Sequence, residues 1–252
     1  MTTHRRNGRA PDHDPRGPLS PASGPEVDLR VVLLTRAQDR LLVALTGRDP
    51  GEASAHAIGL PRGRPEIARD LDETARGIAR RATNLSEQYL EQLYTMSVDQ
   101  STRGSWKIVV GYMALLSSGP EEAPGVSGTW ADVEALPAIS LIDRSVVDYA
   151  VVRLRAKLGY TNIGRYLLPE TFTMRELQSV YEIVLGQPLD KRNFRRRMLA
   201  TGILALTDGQ RRDGSHRPAA LYEFQAEEDR TTYLTPTWSD SGDSRRPQDA
   251  VE

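Results

Sequence analysis

The 252 residues balance 33 Lys and Arg against 34 Asp and Glu, a formal net charge of −1, so any site for a polyanion must be a local patch. The chain has no cysteine, which excludes disulfides, thiolate metal sites and a cysteine nucleophile. No apolar run reaches the roughly 18 residues of a membrane span, and no signal-peptide pattern opens the chain; the expectation is a cytoplasmic protein with no membrane partner and room for two domains.

In chain order, residues 1–28 are rich in Pro, Gly and charge with almost nothing to bury, and residues 227–252 are similar. Neither stretch can offset the entropy of ordering, so both are predicted to be unfolded tails. From Leu29 the texture is mixed strand and helix. "LRVVLLT" and "LLVALT" read as aliphatic strands joined by the turn-like "RAQD", and "LYTMSV" and "KIVVGYMALL" as a second pair around "DQSTRGS". "TWADVEALP" closes this first domain, 29–140. From Leu141 the pattern is helical: Val146, Val147, Ala150, Val151, Leu154 and Leu158 fall on one face of a helix over 141–158. It is read as a linking helix that opens a second, DNA-binding domain, 141–226.

Within the first domain, residues 60–85 ("LPRGRPEIARDLDETARGIARRATNL") have the length and landmarks of a Nudix box, G-x5-E-x7-R-E-U-x-E-E-x-G-U. The glutamates of that motif converge on one helix face and hold a hard divalent cation against a diphosphate. With the first glycine on Gly63, the glutamate positions become Arg69, Ile78, Arg81 and Ala82, and the last glycine becomes Asn84, which tolerates a left-handed helix end. No carboxylate remains, and guanidinium groups repel a cation, so the expectation is no metal, no cofactor and no hydrolysis. Asp70 and Glu73 have capping-box spacing, a structural duty. One reading of the box is an amphipathic helix with arginines on its wet side. The other is a nucleotide pocket in which Arg62, Arg64 and Arg81 neutralise phosphate in place of metal.

The second domain carries the stronger signal. Thr173 and Glu176 form a capping box ahead of a helix with apolar Leu177, Val180, Tyr181 and Val184, stopped by Gly186. Asp190 then caps "KRNFRRRMLAT", ended by Gly202, and helix, turn and helix fit a helix-turn-helix. Phe194 and Met198 share the buried face. Arg192, Asn193 and Arg196 point the other way, flanked by Lys191 and Arg195, with no acid between Lys191 and Thr201. Arginines clamp phosphates or read guanine, and asparagine can pair with adenine, as a recognition helix requires. "ILALT" and "AALYEF" then read as two strands of a wing around "DGQRRDGSHRP", whose Arg211, Arg212 and Arg217 are expected to ride on a flexible tip; His216 there reads as a bystander.

Together "YLEQLYTMSV", "RLRAKLGYTN", "LLPETFTMRELQSVYEIVLGQPLDKRNFRRRML" and "HRPAALYEF" make the chain resemble the NrtR family, Nudix-related transcriptional regulators of bacterial NAD metabolism. The resemblance implies an α+β protein: a Nudix-like α/β/α sandwich followed by a winged helix-turn-helix. It also implies a homodimer on double-stranded DNA with a palindromic operator, repressing genes of NAD synthesis or salvage, and a small nucleotide effector such as ADP-ribose that releases DNA. The chain departs from the family pattern at "LPRG", where "LPGG" is common, and lacks the usual aromatic in "HAIGLP". The rival expectations are an active Nudix-type nucleoside diphosphate-X hydrolase, and an RNA-binding or adaptor protein that uses the basic helix on another partner.

Overall fold

The computed structural model describes residues 26–47, 56–66, 68–85, 87–100, 105–117, 128–211 and 218–225. Most of the two expected tails, and Arg212, His216 and Arg217 of the wing tip, lie outside the described residues.

The first domain is built on β1 (Glu26–Ala37), a 12-residue strand at the centre of a seven-stranded sheet. It pairs antiparallel with β2 (Arg40–Gly47) and β4 (Arg62–Gly63), and parallel with β6 (Ser105–Leu115). β5 (Tyr89–Gln100) lies on the far side of β6; β3 (Ile58–Gly59) and β7 (Gly128–Asp132) pair with β2. Alternation along β1 sends Leu29, Val31 and Leu33 to one face and Val32 and Leu34 to the other. Helix α1 (Leu71–Thr83) covers the first face through Ala75, Ile78, Ala79 and Ala82. Helix α2 (Leu141–Leu158) covers the second through Val146, Val147, Ala150 and Leu154, its bounds those that its apolar spacing predicts. The result is the expected α/β/α sandwich, except that α2, assigned from sequence to the second domain beyond residue 140, supplies its second helical layer because its apolar face packs on β1, β5 and β6.

β1 starts at Glu26, earlier than the boundary drawn at Leu29. The cause is a buried charge cluster. Asp28 lies 2.9 Å from Arg30 and 3.0 Å from Lys107, and Arg30 lies 3.1 Å from Asp143 in the first turn of α2. Asp28, Arg30 and Asp143 are all buried, so their mutual neutralisation holds the start of β1 in the sheet and fastens α2 to it.

The second domain holds α3 (Met174–Leu185) and α4 (Lys191–Ala200), with a small sheet of β8 (Phe172–Thr173), β10 (Ala219–Phe224) and β9 (Leu204–Arg211) in that order. The caps read from sequence are present. Thr173 and Glu176 satisfy each other's backbone N–H, Asp190 accepts from Asn193 N at 2.7 Å, and Gly186 and Gly202 adopt left-handed φ of 70° and 71°. Tyr181 meets Phe194 edge-on at 5.2 Å, locking α3 against α4.

One apolar core runs from the α2 face of the sheet into α3, α4 and β10, so the two domains are packed rather than tethered. Arginines fix the seam. Arg36 Nε donates to Leu167 O at 3.0 Å, and Arg155 donates to Val184 O at 2.8 Å and to Glu134 at 2.8 Å. On β5, Glu91 accepts from Arg153 at 2.6 Å and Tyr89 at 2.7 Å and lies 3.0 Å from Lys157. Burial pushes the Glu91 carboxyl up, but the hydrogen bonds of Arg153, Tyr89 and Lys157 outweigh it and hold the group below its ordinary value. Among the described residues no helix is long and apolar enough to cross a membrane.

Candidate nucleotide pocket and nucleic-acid interface

The box forms a loop, the short β4 and the helix α1. Asp70 caps α1 by accepting from Glu73 N at 2.6 Å, and Asn84 ends it with φ 56°. Of the four positions that carry glutamate in a working box, Ile78 and Ala82 are buried beneath α1 with 2% and 4% exposure. Ile78 also lies against Gly63, where an added Cβ would come within 3.2 Å of its side chain. Half of the former ligand face has become core.

The other two positions are cationic and have found an acid of their own. Glu66 lies 2.7 Å from Arg69 and 3.4 Å from Arg81. Two further acids of the box are also engaged: Asp70 in the cap, and Asp72 as acceptor from Tyr112 Oη at 2.8 Å. Burial, and then that bond to Asp72, pushes the Tyr112 hydroxyl well above its ordinary value, so it stays protonated and a donor. Among the described residues no group of three His, Asp or Glu side chains is placed to hold a metal ion. Of the three arginines expected at phosphate, Arg64 pairs with Glu26 at 2.7 Å and Arg81 with Glu66, both at the surface, while Arg62 lies in β4 opposite Arg30. Sequence reasoning missed Glu66 as the counter-ion. Its place three residues before Arg69 was the available signal.

On α4 the cations sit differently. Lys191, Arg192, Arg195 and Arg196 are exposed, and Asn193 is half-buried between them. Arg196 donates to Asn193 Oδ1 at 2.8 Å, which spends the acceptor that adenine pairing would need. Asn193 therefore orients Arg196 in this state, and an adenine contact requires that bond to open. Arg195 donates to Tyr222 Oη at 3.0 Å and lies 5.8 Å from the ring, which ties the helix to β10.

The wing departs from expectation at one residue. β9 runs on through Asp208, Gly209 and Gln210 to Arg211, which pairs with Ala219 instead of joining a tip. Its guanidinium lies 2.6 Å from Glu176 and donates to Thr171 O at 3.2 Å. Arg211 braces the wing on the capping box of α3. Between these parts a cavity of about 600 Å³ is lined by Thr173, Arg175, Arg195, Gln210, Ala220 and Tyr222 among others. Arg175, exposed in the first turn of α3, brings a cation beside Arg195 that sequence reasoning did not single out. Its i+2 place after the cap was visible, but nothing in sequence puts it beside the wing.

A sandwich with a degenerate box, packed against a helix-turn-helix and a two-stranded wing, defines the class: a Nudix-like domain joined to a winged helix. Residues 164–224 match the NrtR DNA-binding winged helix domain. The chain is 33% identical over 147 residues, 56% of its length, to the ADPR responsive transcriptional repressor NtrR of Acinetobacter baylyi, and spans 58% of the length of that protein. Among solved structures it is similar to Shewanella oneidensis NrtR complexed with a 27mer DNA, with TM-score 0.69 and 27% identity over 79% of this chain and 93% of that one. A MutT/nudix family protein from Enterococcus faecalis shares the fold, with TM-score 0.61 at 20% identity over 81% of this chain and 89% of that one. The winged helix over residues 164–224 is thus of the NrtR kind, and the two-part architecture is similar to that of Shewanella oneidensis NrtR.

Proposed function

We propose that the protein is a homodimeric repressor that binds a palindromic operator in duplex DNA through α4 and the wing, and that its first domain senses a phosphate-bearing nucleotide without turning it over. The observation that carries the reading is the outer face of α4, four exposed cations and an amide with no acid between Lys191 and Thr201. Such a face suits phosphate clamping and base-edge contact in a major groove. Two related proteins support it by their names alone: the Acinetobacter relative is an ADPR responsive repressor, and the Shewanella neighbour was solved with DNA.

The nucleotide step follows from weak pairing. Arg64–Glu26 and Arg81–Glu66 are surface ion pairs, each worth about 0–1 kcal/mol, so a phosphate can displace the carboxylates. ADP-ribose or a related NAD metabolite fits this chemistry, and it would bind equally well in EDTA. Binding can weaken the operator complex only as far as the nucleotide prefers one arrangement of the recognition helices over another, a preference transmitted through α2.

Mobility shifts with the DNA upstream of this gene and its neighbours test the first step. A complex that vanishes when one arm of the palindrome is scrambled, and that weakens steeply with salt, is expected. Calorimetry with NAD-derived nucleotides in EDTA tests the second, and no heat at millimolar concentration leaves the first domain a scaffold. With Mg²⁺ or Mn²⁺ the protein should not hydrolyse ADP-ribose, NAD or diadenosine polyphosphates. Turnover that disappears in Glu66→Gln or Glu73→Gln defeats the non-catalytic reading.

A further inference from the structure

The winged helix holds a second group of cations, set apart from the outer face of α4. The cavity of about 600 Å³ between α3, α4 and the wing has Arg175 on one wall and Arg195 on another, and among the described residues its lining contains no acid. Glu176, next in the chain to Arg175, has both oxygens engaged. One lies 2.6 Å from Arg211, and the other accepts from Thr173 N at 2.7 Å. Two guanidinium groups therefore share one hollow with no negative charge in its described walls.

Arg195 is fixed there by a neutral group. It donates to Tyr222 Oη at 3.0 Å, and Tyr222, 5% exposed, is itself held between Phe172 and Leu206 on the neighbouring strands. A hydroxyl that accepts from Arg195 keeps its own O–H to donate. Arg175 is exposed and, among the described residues, pairs with no acid. Two like charges on one concave surface repel, and an anion between them relieves the repulsion. Phosphate is the anion that suits the donors: it offers three strong acceptor oxygens to two planar guanidinium forks and one hydroxyl. The hollow is larger than a lone phosphate, within the range of about 300–1,000 Å³ of small-molecule sites, and Met174, Pro218 and Ala219 give part of its wall an apolar character.

We propose that this cavity is a phosphate site, in which Arg175 and Arg195 clamp the group and Tyr222 donates a third hydrogen bond. It is separate from the first-domain pocket and from the outer face of α4. The phosphate belongs either to a small organic phosphate or to the backbone of a bound duplex, since both present the same oxygens. A free ligand there fills the corner between recognition helix and wing and competes with DNA directly, a route of control that needs no movement of α2. Only the backbone source rests on the operator reading above.

The cysteine-free chain allows a reporter inside the cavity. Ala220 is exposed and lines it, so Ala220→Cys presents a thiol there to iodoacetamide. Inorganic pyrophosphate in EDTA should slow that alkylation about tenfold when present at ten times its dissociation constant. Adding Arg175→Ala should raise the concentration for half-protection roughly ten- to a hundredfold, with a melting curve close to that of the reporter alone. Arg175→Lys should recover part of the loss. Arg195→Gln, which also gives up the bond to Tyr222, is the second variant and should weaken protection too. Protection indifferent to both changes overturns the site, because pyrophosphate then acts from elsewhere, the first domain included. No protection, together with operator binding whose salt dependence is unchanged in Arg175→Ala, also overturns it and leaves the operator reading standing. DNA identifies the source. A backbone phosphate in the cavity makes Arg175→Ala reduce the slope of log affinity against log salt by about one. Arg175-dependent protection by pyrophosphate with an unchanged slope assigns the site to a small organic phosphate. A wild type that binds no duplex defeats the operator reading, and the pyrophosphate result still decides the site.

Discussion

Helices α1 and α4 are both arginine-rich and both amphipathic, yet they treat their charge in opposite ways. Around α1, Arg69 and Arg81 share Glu66, and Arg76 lies 3.1 Å from Glu87. On α4, Arg195 and Arg196 make contacts with Tyr222 and Asn193, which are neutral and leave their charge uncompensated. The number of arginines does not separate the two surfaces; the presence of acids does. A face that must meet a polyanion keeps its cations oriented by neutral partners. Under the proposed function, the α1 face meets a smaller anion intermittently and can hold its cations on surface carboxylates that let go.

The largest effect should come from breaking the uncompensated face. Arg192→Ala or Arg196→Ala should lower operator affinity by about 1–3 kcal/mol in each half-site while leaving the melting temperature in place. Asn193→Ala frees Arg196 from its hydrogen bond, and is expected to cost less than removing Arg196. Equal retention of wild type and both arginine variants in a mobility shift would place recognition on another element. The counterpart on α1 is a loss of fold. Ile78→Glu puts a carboxylate back where the motif has one, but at a position with 2% exposure. An unpaired buried acid should destabilise the protein by roughly 3 kcal/mol, whereas Arg81→Glu, at the surface, should melt near wild type. If Ile78→Glu instead melted as wild type and bound Mg²⁺, the pocket would be a metal site in waiting rather than core.

Much of this contrast was legible before any coordinates. Local chemistry fixes helix ends, so Thr173, Asp190, Gly186 and Asn84 announced theirs, and the period of α2 marked both its bounds and its buried face. What failed to show were pairings set by distant chain. Arg30 in mid-strand reads as a solvent residue until β6 supplies Lys107 and α2 supplies Asp143. The parallel registration of β1 with β6 joins segments about 80 residues apart, and no short-range signal encodes it. Phe172 and Thr173 look like a loop, because a two-residue strand has no period to detect. Arg211 was misplaced for the same reason: "DGQRRDG" has the composition of a turn, and only cross-strand pairing with Ala219 reveals a strand.

A smaller change sharpens the comparison from the α1 side. Glu66→Gln removes the one acid shared by Arg69 and Arg81, making that surface resemble α4. Nucleotide binding in EDTA should tighten by up to about tenfold, equivalent to the roughly 1 kcal/mol at which such exposed pairs compete. Arg81→Glu should abolish the nucleotide response and leave operator affinity in its absence nearly intact. Weaker nucleotide binding in Glu66→Gln would show that Glu66 contacts the ligand directly instead of holding the arginines in reserve.

The smallest expected effect decides which class Arg211 belongs to. Its cation lies 2.6 Å from Glu176, with 35% and 27% of the two side chains exposed, so the pair is partly screened. It joins the base of the wing to the box that caps α3. As a brace, Arg211→Ala should lower the stability of the protein by about 0.5–1 kcal/mol. Glu176 would keep its capping bonds to Thr173, so the helix start should survive. The dependence of operator affinity on salt should then be unchanged, since a residue already neutralised by an acid releases no counterion from DNA. As a phosphate contact, the same substitution would leave stability alone and reduce the slope of log affinity against log salt by about one. A thermal melt and a salt titration on one variant therefore place this arginine with the paired cations of α1 or with the open ones of α4.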